Sequence, residues 1–167
     1  MASGGNLITV TSSRHPIKNC VSEPATGPRV IGVGATTEGG CLGSYSLAGT
    51  AIDVVAPGGG EPLAGCPSVL ARPIYQVTLK PRSTTEFAIP SEYVGTSMAA
   101  AHVSGLAALI LASGVLGPQK SPEARVQAVT RRLRRTARDL GLPPTQQGAG
   151  LIDAAAATDP SLTPRRR

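Results

Sequence analysis

Gly95-Thr96-Ser97-Met98-Ala99-Ala100-Ala101-His102-Val103-Ser104-Gly105 runs without a break into Leu106-Ala107-Ala108-Leu109-Ile110-Leu111-Ala112. A glycine, a hydroxyl residue and a serine stand just ahead of a long apolar run, which predicts a helix from Ser97 to about Val115. The first N–H groups of a helix have no partner within it, and its dipole is positive at that end. A serine placed there has its Oγ and its own N–H where an oxyanion is stabilised, which suits a nucleophile of acyl transfer. The apolar residues occupy nearly all faces, so the helix is expected to be buried in the middle of the domain, with Gly105 admitting a close neighbour. His102 follows Ser97 by five positions, whereas residues that face one another on a helix lie three or four apart. It therefore points away and is no base for Ser97. His15, among Ser13, Arg14 and Pro16, has no catalytic case either.

The 167 residues suit one domain, and with aromatics at 2% its core must be aliphatic and alanine-rich. The net charge of +6 is concentrated at Arg131–Arg138 and Arg165-Arg166-Arg167. Nucleic-acid binding would want aromatic rings among those arginines, and there are none, so the charge reads as a solvated helix face and a frayed tail. Nucleic acid is accordingly excluded as a partner. No membrane span is expected, because the apolar run is broken by Gly105, Ser113 and Gly114. Nor does Met1-Ala2-Ser3-Gly4-Gly5-Asn6 read as a signal peptide. Three cysteines, Cys20, Cys41 and Cys66, allow one disulfide with one free thiol or three free thiols; Cys20–Cys41 is the expected bridge if one forms.

Outward from the helix, Arg29-Val30-Ile31-Gly32-Val33-Gly34-Ala35 reads as a buried strand, and its continuous β-branched character suits a parallel sheet covered on both faces. Ala51–Pro57 is a second short buried strand closed by Pro57-Gly58. Ala2-Ser3 reads as the end of a strand turning into the Gly4-Gly5-Asn6 loop. Between Ser68 and Thr78 the chain is extended but interrupted by Pro73, and Glu86–Ile89 returns as a hairpin partner. Ser121 caps a second helix with Pro122 at its first position. Val126, Val129, Leu133 and Ala137 mark its inner face, with the arginines outside. Asp53 reads first as a buried carboxylate accepting backbone N–H bonds. Residues 1–157 form the folded part, and 158–167 read as a disordered basic tail.

Residues 95–105 resemble the serine motif G-T-S-M-A-x-P-H-V of the subtilisin-like serine proteases, the subtilases, with Ala101 where that motif has proline. Ala2–Asn6 is similar to the family's A-A-x-G-N, Val30–Ala35 to V-I-x-V-G-A, Ser44–Gly49 to F/Y-S-x-x-G, and Ile52–Gly58 to V-D-V-x-A-P-G. These words occur in the family's order. Gly148–Ala154 resembles the closing G-x-G-x-I/L-D/N-A. The resemblance implies an α/β, subtilisin-like three-layer fold with a parallel central sheet and a buried helix after the nucleophile. It implies a serine endopeptidase with Ser97 as nucleophile and Asn6 as oxyanion donor. Ser3, Gly4, Gly5 and Thr96 would line the substrate site. In some subtilases an aspartate matching Asp53 binds calcium with carbonyls matching Pro28 and Val30, so the resemblance implies a structural calcium there, while the chemistry itself needs no cofactor.

A subtilase places aspartate, histidine and serine in that chain order, the first two in D-S/T-G and H-G-T-H. Neither motif occurs here. The expectation is a C-terminal half of a catalytic domain, inactive by itself, whose partners are a polypeptide substrate and an N-terminal half carrying the other two residues. The intact protein would be extracellular. A non-catalytic fragment, or a pseudoenzyme-like peptide-binding module, is the alternative. The α/β-hydrolase elbow G-x-S-x-G does not fit, because Ala99 stands at its second glycine.

Overall fold

The computed structural model describes residues 1–6, 21–68, 70–90 and 93–162. Its centre is a parallel sheet of β1 (Ala2–Ser3), β2 (Gly32–Thr36) and β3 (Val54–Pro57), side by side in that order. Register is set by Ala2 opposite Gly32 and Val33 opposite Val54. The segment 150–152 lies along the free side of β3, where Val55 N donates to Gly150 O at 2.9 Å and Ile152 N to Val55 O at 3.0 Å. β2 is buried at every position, as its unalternating apolar sequence requires of a strand covered on both faces.

Helices α1 (Thr96–Ala112), α2 (Pro122–Thr136) and α4 (Ala154–Thr158) pack on one face, burying Val33, Ala35, Val54 and Ala56 against Val103, Ile110, Leu133 and Ala157. The other face is covered by Val21, Ala25, Leu42 and Ile52, with Leu140 and Leu142 from the loop leading to the short α3 (Pro144–Gln147). β4 (Thr78–Leu79) and β5 (Phe87–Ala88) form a separate antiparallel hairpin, whose base is pinned by Ile74 N donating to Tyr93 O at 2.8 Å. No helix among the described residues is long and apolar enough to cross a membrane.

The structure corrects three expectations. First, α1 is buried along one face only. Ala99, Val103, Leu106 and Ile110 face the sheet, Leu109 and Leu111 are exposed, and a Cβ at Gly105 would meet nothing within 4 Å. An apolar composition does not say which neighbours a helix has. Second, α2 buries Ala128, Val129, Arg132 and Leu133, while Val126 is 44% exposed. The buried arginine is satisfied by backbone carbonyls: Nε donates to Ala157 O at 2.8 Å and Nη2 to Ala156 O at 3.0 Å, with further bonds to Asp159 O and Leu162 O. Thr158 ends α4, and the Arg132 contacts reach Leu162; Arg165–Arg167 lie outside the described residues.

Third, the disulfide is Cys41–Cys66, with Cα atoms 6.0 Å apart, and not Cys20–Cys41. Backbone pairing explains it. Ser44 N donates to Glu61 O at 2.9 Å and Leu63 N to Leu42 O at 2.8 Å, so the loop after β3 is laid along residues 41–44 and carries Cys66 to Cys41. Cys20 and His15 lie outside the described residues.

Candidate active site

Ser97 is exposed in the first turn of α1. The turn that leads into it is fixed by Gly95, whose N–H donates to Gly58 O at 3.0 Å, just beyond the end of β3. Gly95 has φ 148°, a value that side chains other than glycine's rarely adopt. The Pro57-Gly58 closure of β3 thus places the Ser97 turn at the carboxyl ends of the parallel strands, where α/β sheets bring loops together.

Asn6 arrives from the neighbouring strand. After β1, Gly4 N donates to Val33 O at 2.7 Å, and Gly5 (φ 96°) turns the chain outward. Asn6 Oδ1 then accepts two hydrogen bonds from Thr96, from the N–H at 3.0 Å and from Oγ1 at 2.8 Å. Two donors on one atom identify it as the oxygen, so Nδ2 points away from Thr96. Nδ2 lies 2.8 Å from where a Cβ on Gly95 would stand, a second reason for glycine there.

The N–H groups of the first turn divide as follows. Thr96 N is bonded to Asn6, while Met98 N and Ala99 N reach Gly95 O at 3.1 and 3.4 Å. Ser97 N has no acceptor among the described residues, and neither has Asn6 Nδ2. The site therefore presents an exposed hydroxyl and two unspent N–H donors at the positive end of a seventeen-residue helix. Such an arrangement stabilises negative charge developing on an oxygen beside Ser97.

Tyr45 buttresses the site. Its OH donates to Gly59 O at 2.7 Å. Burial pushes its pKa up to about 12, with a Gly95 backbone hydrogen bond working the other way, so it is a neutral donor at ordinary pH. His102 turns Nδ1 towards Met98 O at 2.8 Å, within its own helix.

The remaining sequence candidates separate. Thr96, expected to line the substrate site, is 1% exposed and bonds Asn6 through its N–H and its hydroxyl. Gly4 is buried with both backbone groups bonded, its carbonyl accepting from Ser22 N at 3.2 Å. Ser3 and Gly5 are half-buried.

Asp53 is remote from this site in its contacts. Its Oδ2 accepts from Gly32 N at 3.0 Å, as a buried carboxylate beside a turn should, but its Oδ1 accepts from Arg134 Nη1, also at 3.0 Å. Calcium needs several oxygens free to converge, and here a guanidinium already neutralises the one carboxylate. The residues present do not fit the calcium site expected at Asp53, Pro28 and Val30. Among the described residues no cluster of three or more histidine, cysteine, aspartate or glutamate side chains could hold a metal.

Sequence reasoning missed the Thr96–Asn6 pairing, the Tyr45 buttress and Arg134. The first joins residues 90 positions apart, and a single sequence carries no signal of it.

The family described as "Subtilase family" matches residues 1–150. An extracellular protease of Xanthomonas campestris pv. campestris is 35% identical over 96% of the chain and 24% of its own length. Halolysin of Haloferax mediterranei is 34% identical over 92% of the chain and 25% of its own length. Among solved structures, a lanthipeptide protease superposes with TM-score 0.64 and 28% identity, over 93% of this chain and 48% of the other. A protease from Pseudoalteromonas arctica gives TM-score 0.62 at 31% identity, over 81% and 37% respectively. The chain spans between about a quarter and about half the length of the curated relatives it matches.

Proposed function

The chain belongs to the subtilase family, and from that premise we propose that it supplies the nucleophile and the oxyanion donors of a serine endopeptidase. Ser97 Oγ attacks the scissile carbonyl carbon while a base takes its proton. The oxygen that becomes negative is held by Ser97 N–H and Asn6 Nδ2. Collapse of this intermediate expels the amine, which the base protonates, and leaves an acyl-enzyme on Ser97 that water hydrolyses. The observation that carries the reading is the pair of N–H donors, without an acceptor among the described residues, beside an exposed serine and held there by Thr96 and Gly95.

The base and its orienting aspartate are assigned to residues outside these 167, because D-S/T-G and H-G-T-H are not in the sequence and His102 faces Met98 O. The substrate is an extended polypeptide pairing like an added strand. Of the expected pocket wall, Ser3 and Gly5 keep partial exposure and carry the reading, while Gly4 supports them from within. The setting is extracellular: the Cys41–Cys66 disulfide belongs to an oxidising compartment, and one relative is named an extracellular protease.

A fluorophosphonate probe tests this. The chain alone is expected to leave Ser97 unlabelled for want of a base. A chimera that joins it to the aspartate- and histidine-bearing part of a subtilisin relative is expected to be labelled and to cleave a peptide anilide, both abolished by Ser97→Ala. A properly folded chimera that is never labelled would overturn the nucleophile assignment. Stoichiometric labelling of Ser97 in the chain alone would overturn the need for an outside base. The second reading, a peptide-binding module without catalysis, is favoured by the lack of any base near Ser97 among the described residues. It predicts that the chimera binds the peptide without cleaving it.

A further inference from the structure

At Asp53 the polarity of the molecule is the reverse of what a cation would need. The carboxylate is spent on Gly32 N and Arg134. Beside it lies a cavity of about 680 Å³ between the flank of α2 and the segment 29–30. That volume is in the range of about 300–1,000 Å³ typical of small-molecule sites. Its walls have two characters. Val30, Pro122 and Val126 make an apolar floor, and Val126 is left 44% exposed at this position on an otherwise polar helix face. Arg29, Arg131 and Arg135 make a cationic rim.

None of these three guanidiniums has a hydrogen-bond or ion-pair partner among the described residues; the arginine pairs with carboxylates are Arg72–Glu38 and Arg134–Asp53. Glu123, which also lines the cavity, makes no ion pair with them among the described residues. Its carboxylate is held below the usual range by its own backbone N–H and by Ser121, so its charge is turned to the start of α2. Arg131 and Arg135 are one helical turn apart and face the same side. Like charges held that close repel unless a counter-charge sits between them. Arg29 adds a left-handed backbone, φ 66°, unusual for a residue with a side chain. Three unanswered guanidiniums above an apolar floor ask for one kind of ligand.

We propose that this cavity binds an organic anion, a carboxylate carrying a short alkyl body. The carboxylate is gripped by the forked donors of Arg131 and Arg135, and the alkyl part lies on Val30 and Val126. The proposal does not depend on the role of Ser97. It makes α2 a ligand-binding element where a solvated charged face would otherwise be the reading.

Titration calorimetry of the whole chain with sodium octanoate, sodium acetate and octanol tests it. Octanoate is expected to saturate a single site. Acetate, which lacks the body, and octanol, which lacks the charge, are each expected to bind about tenfold more weakly or worse. Added sodium chloride is expected to weaken octanoate binding. The double variant Arg131→Gln, Arg135→Gln removes exposed, unpaired side chains, so it is expected to keep the native circular dichroism and melting temperature while losing octanoate affinity about tenfold. Methyl resonances of Val30 and Val126 are expected to move on titration. Ser97→Ala is expected to leave octanoate binding unchanged. The proposal is overturned if octanol binds as well as octanoate, if the double variant binds undiminished, if octanoate fails to saturate, or if the methyl shifts concentrate on the β4–β5 hairpin.

Discussion

Gly95 does two jobs at once, and each excludes a side chain. Its φ of 148° suits glycine, and a Cβ would stand 2.8 Å from Asn6 Nδ2. Gly95→Ala is therefore expected to cost about 1–3 kcal/mol in stability. It should also push the Asn6 amide off Thr96, which the Asn6 side-chain amide signals in a nitrogen–proton spectrum would report. Unshifted Asn6 signals in a folded Gly95→Ala protein would refute the contact. Tyr45 gives a pH signature. Its folded pKa, about 12, lies above the ordinary tyrosine value of 10.0 because burial disfavours the phenolate. The sign follows: below pH 10 the ring is neutral in both states and its contribution is intact, and between about 10 and 12 the unfolded chain ionises first and stability falls. Melting temperatures measured from pH 9 to 12 are expected to drop less steeply for Tyr45→Phe than for the parent.

At the scale of elements, Arg132 does most to tie the end of the chain to the body. A helix leaves its last carbonyls without intrahelical donors, and α4 meets that need with a side chain from α2. Arg132→Met keeps the bulk and removes the donors. It is expected to cost about 2–3 kcal/mol, since hydrogen bonds from a charged group are among the stronger ones. Hydrogen exchange is the measure: amides of 154–162 should lose protection while those of α1 keep theirs. Equal loss in both would show that Arg132 supports the core at large. The start of α2 was legible in Ser121-Pro122-Glu123, because capping is local chemistry, and Ser121 Oγ does accept from Ala124 N at 3.1 Å. Its inner face was not. Arginine counts as a surface residue until carbonyls from a distant segment are seen to surround it.

For the molecule as a whole, the unusual feature is how much apolar surface faces outward. On the hairpin Val77, Leu79, Phe87 and Ile89 are all exposed while Thr78 and Ala88 turn inward, the reverse of an ordinary amphipathic ribbon. Leu109 and Leu111 add the outer face of α1, and β1 forms an edge of the sheet among the described residues. Patches and open edges of this kind promote association. Sedimentation velocity is expected to show species growing with concentration, and less so in the double variant Val77→Thr, Phe87→Thr. A monodisperse monomer at every concentration would count against it.

The glycine turn before α1, the buried strand β2 and the capped start of α2 were legible in the sequence, because each rests on local chemistry: a glycine where the backbone turns, an unbroken apolar run, a cap. Only the tertiary structure decided that Thr96 orients Asn6, that Cys41 pairs with Cys66, that α1 keeps an open face, and that Arg134 answers Asp53. Each of these joins groups far apart along the chain. A polar or apolar residue states what kind of neighbour it needs, and folding alone selects which neighbour meets the need. The turn at Gly95 was thus legible from sequence, while the Asn6 amide beside it is placed by a contact spanning 90 residues.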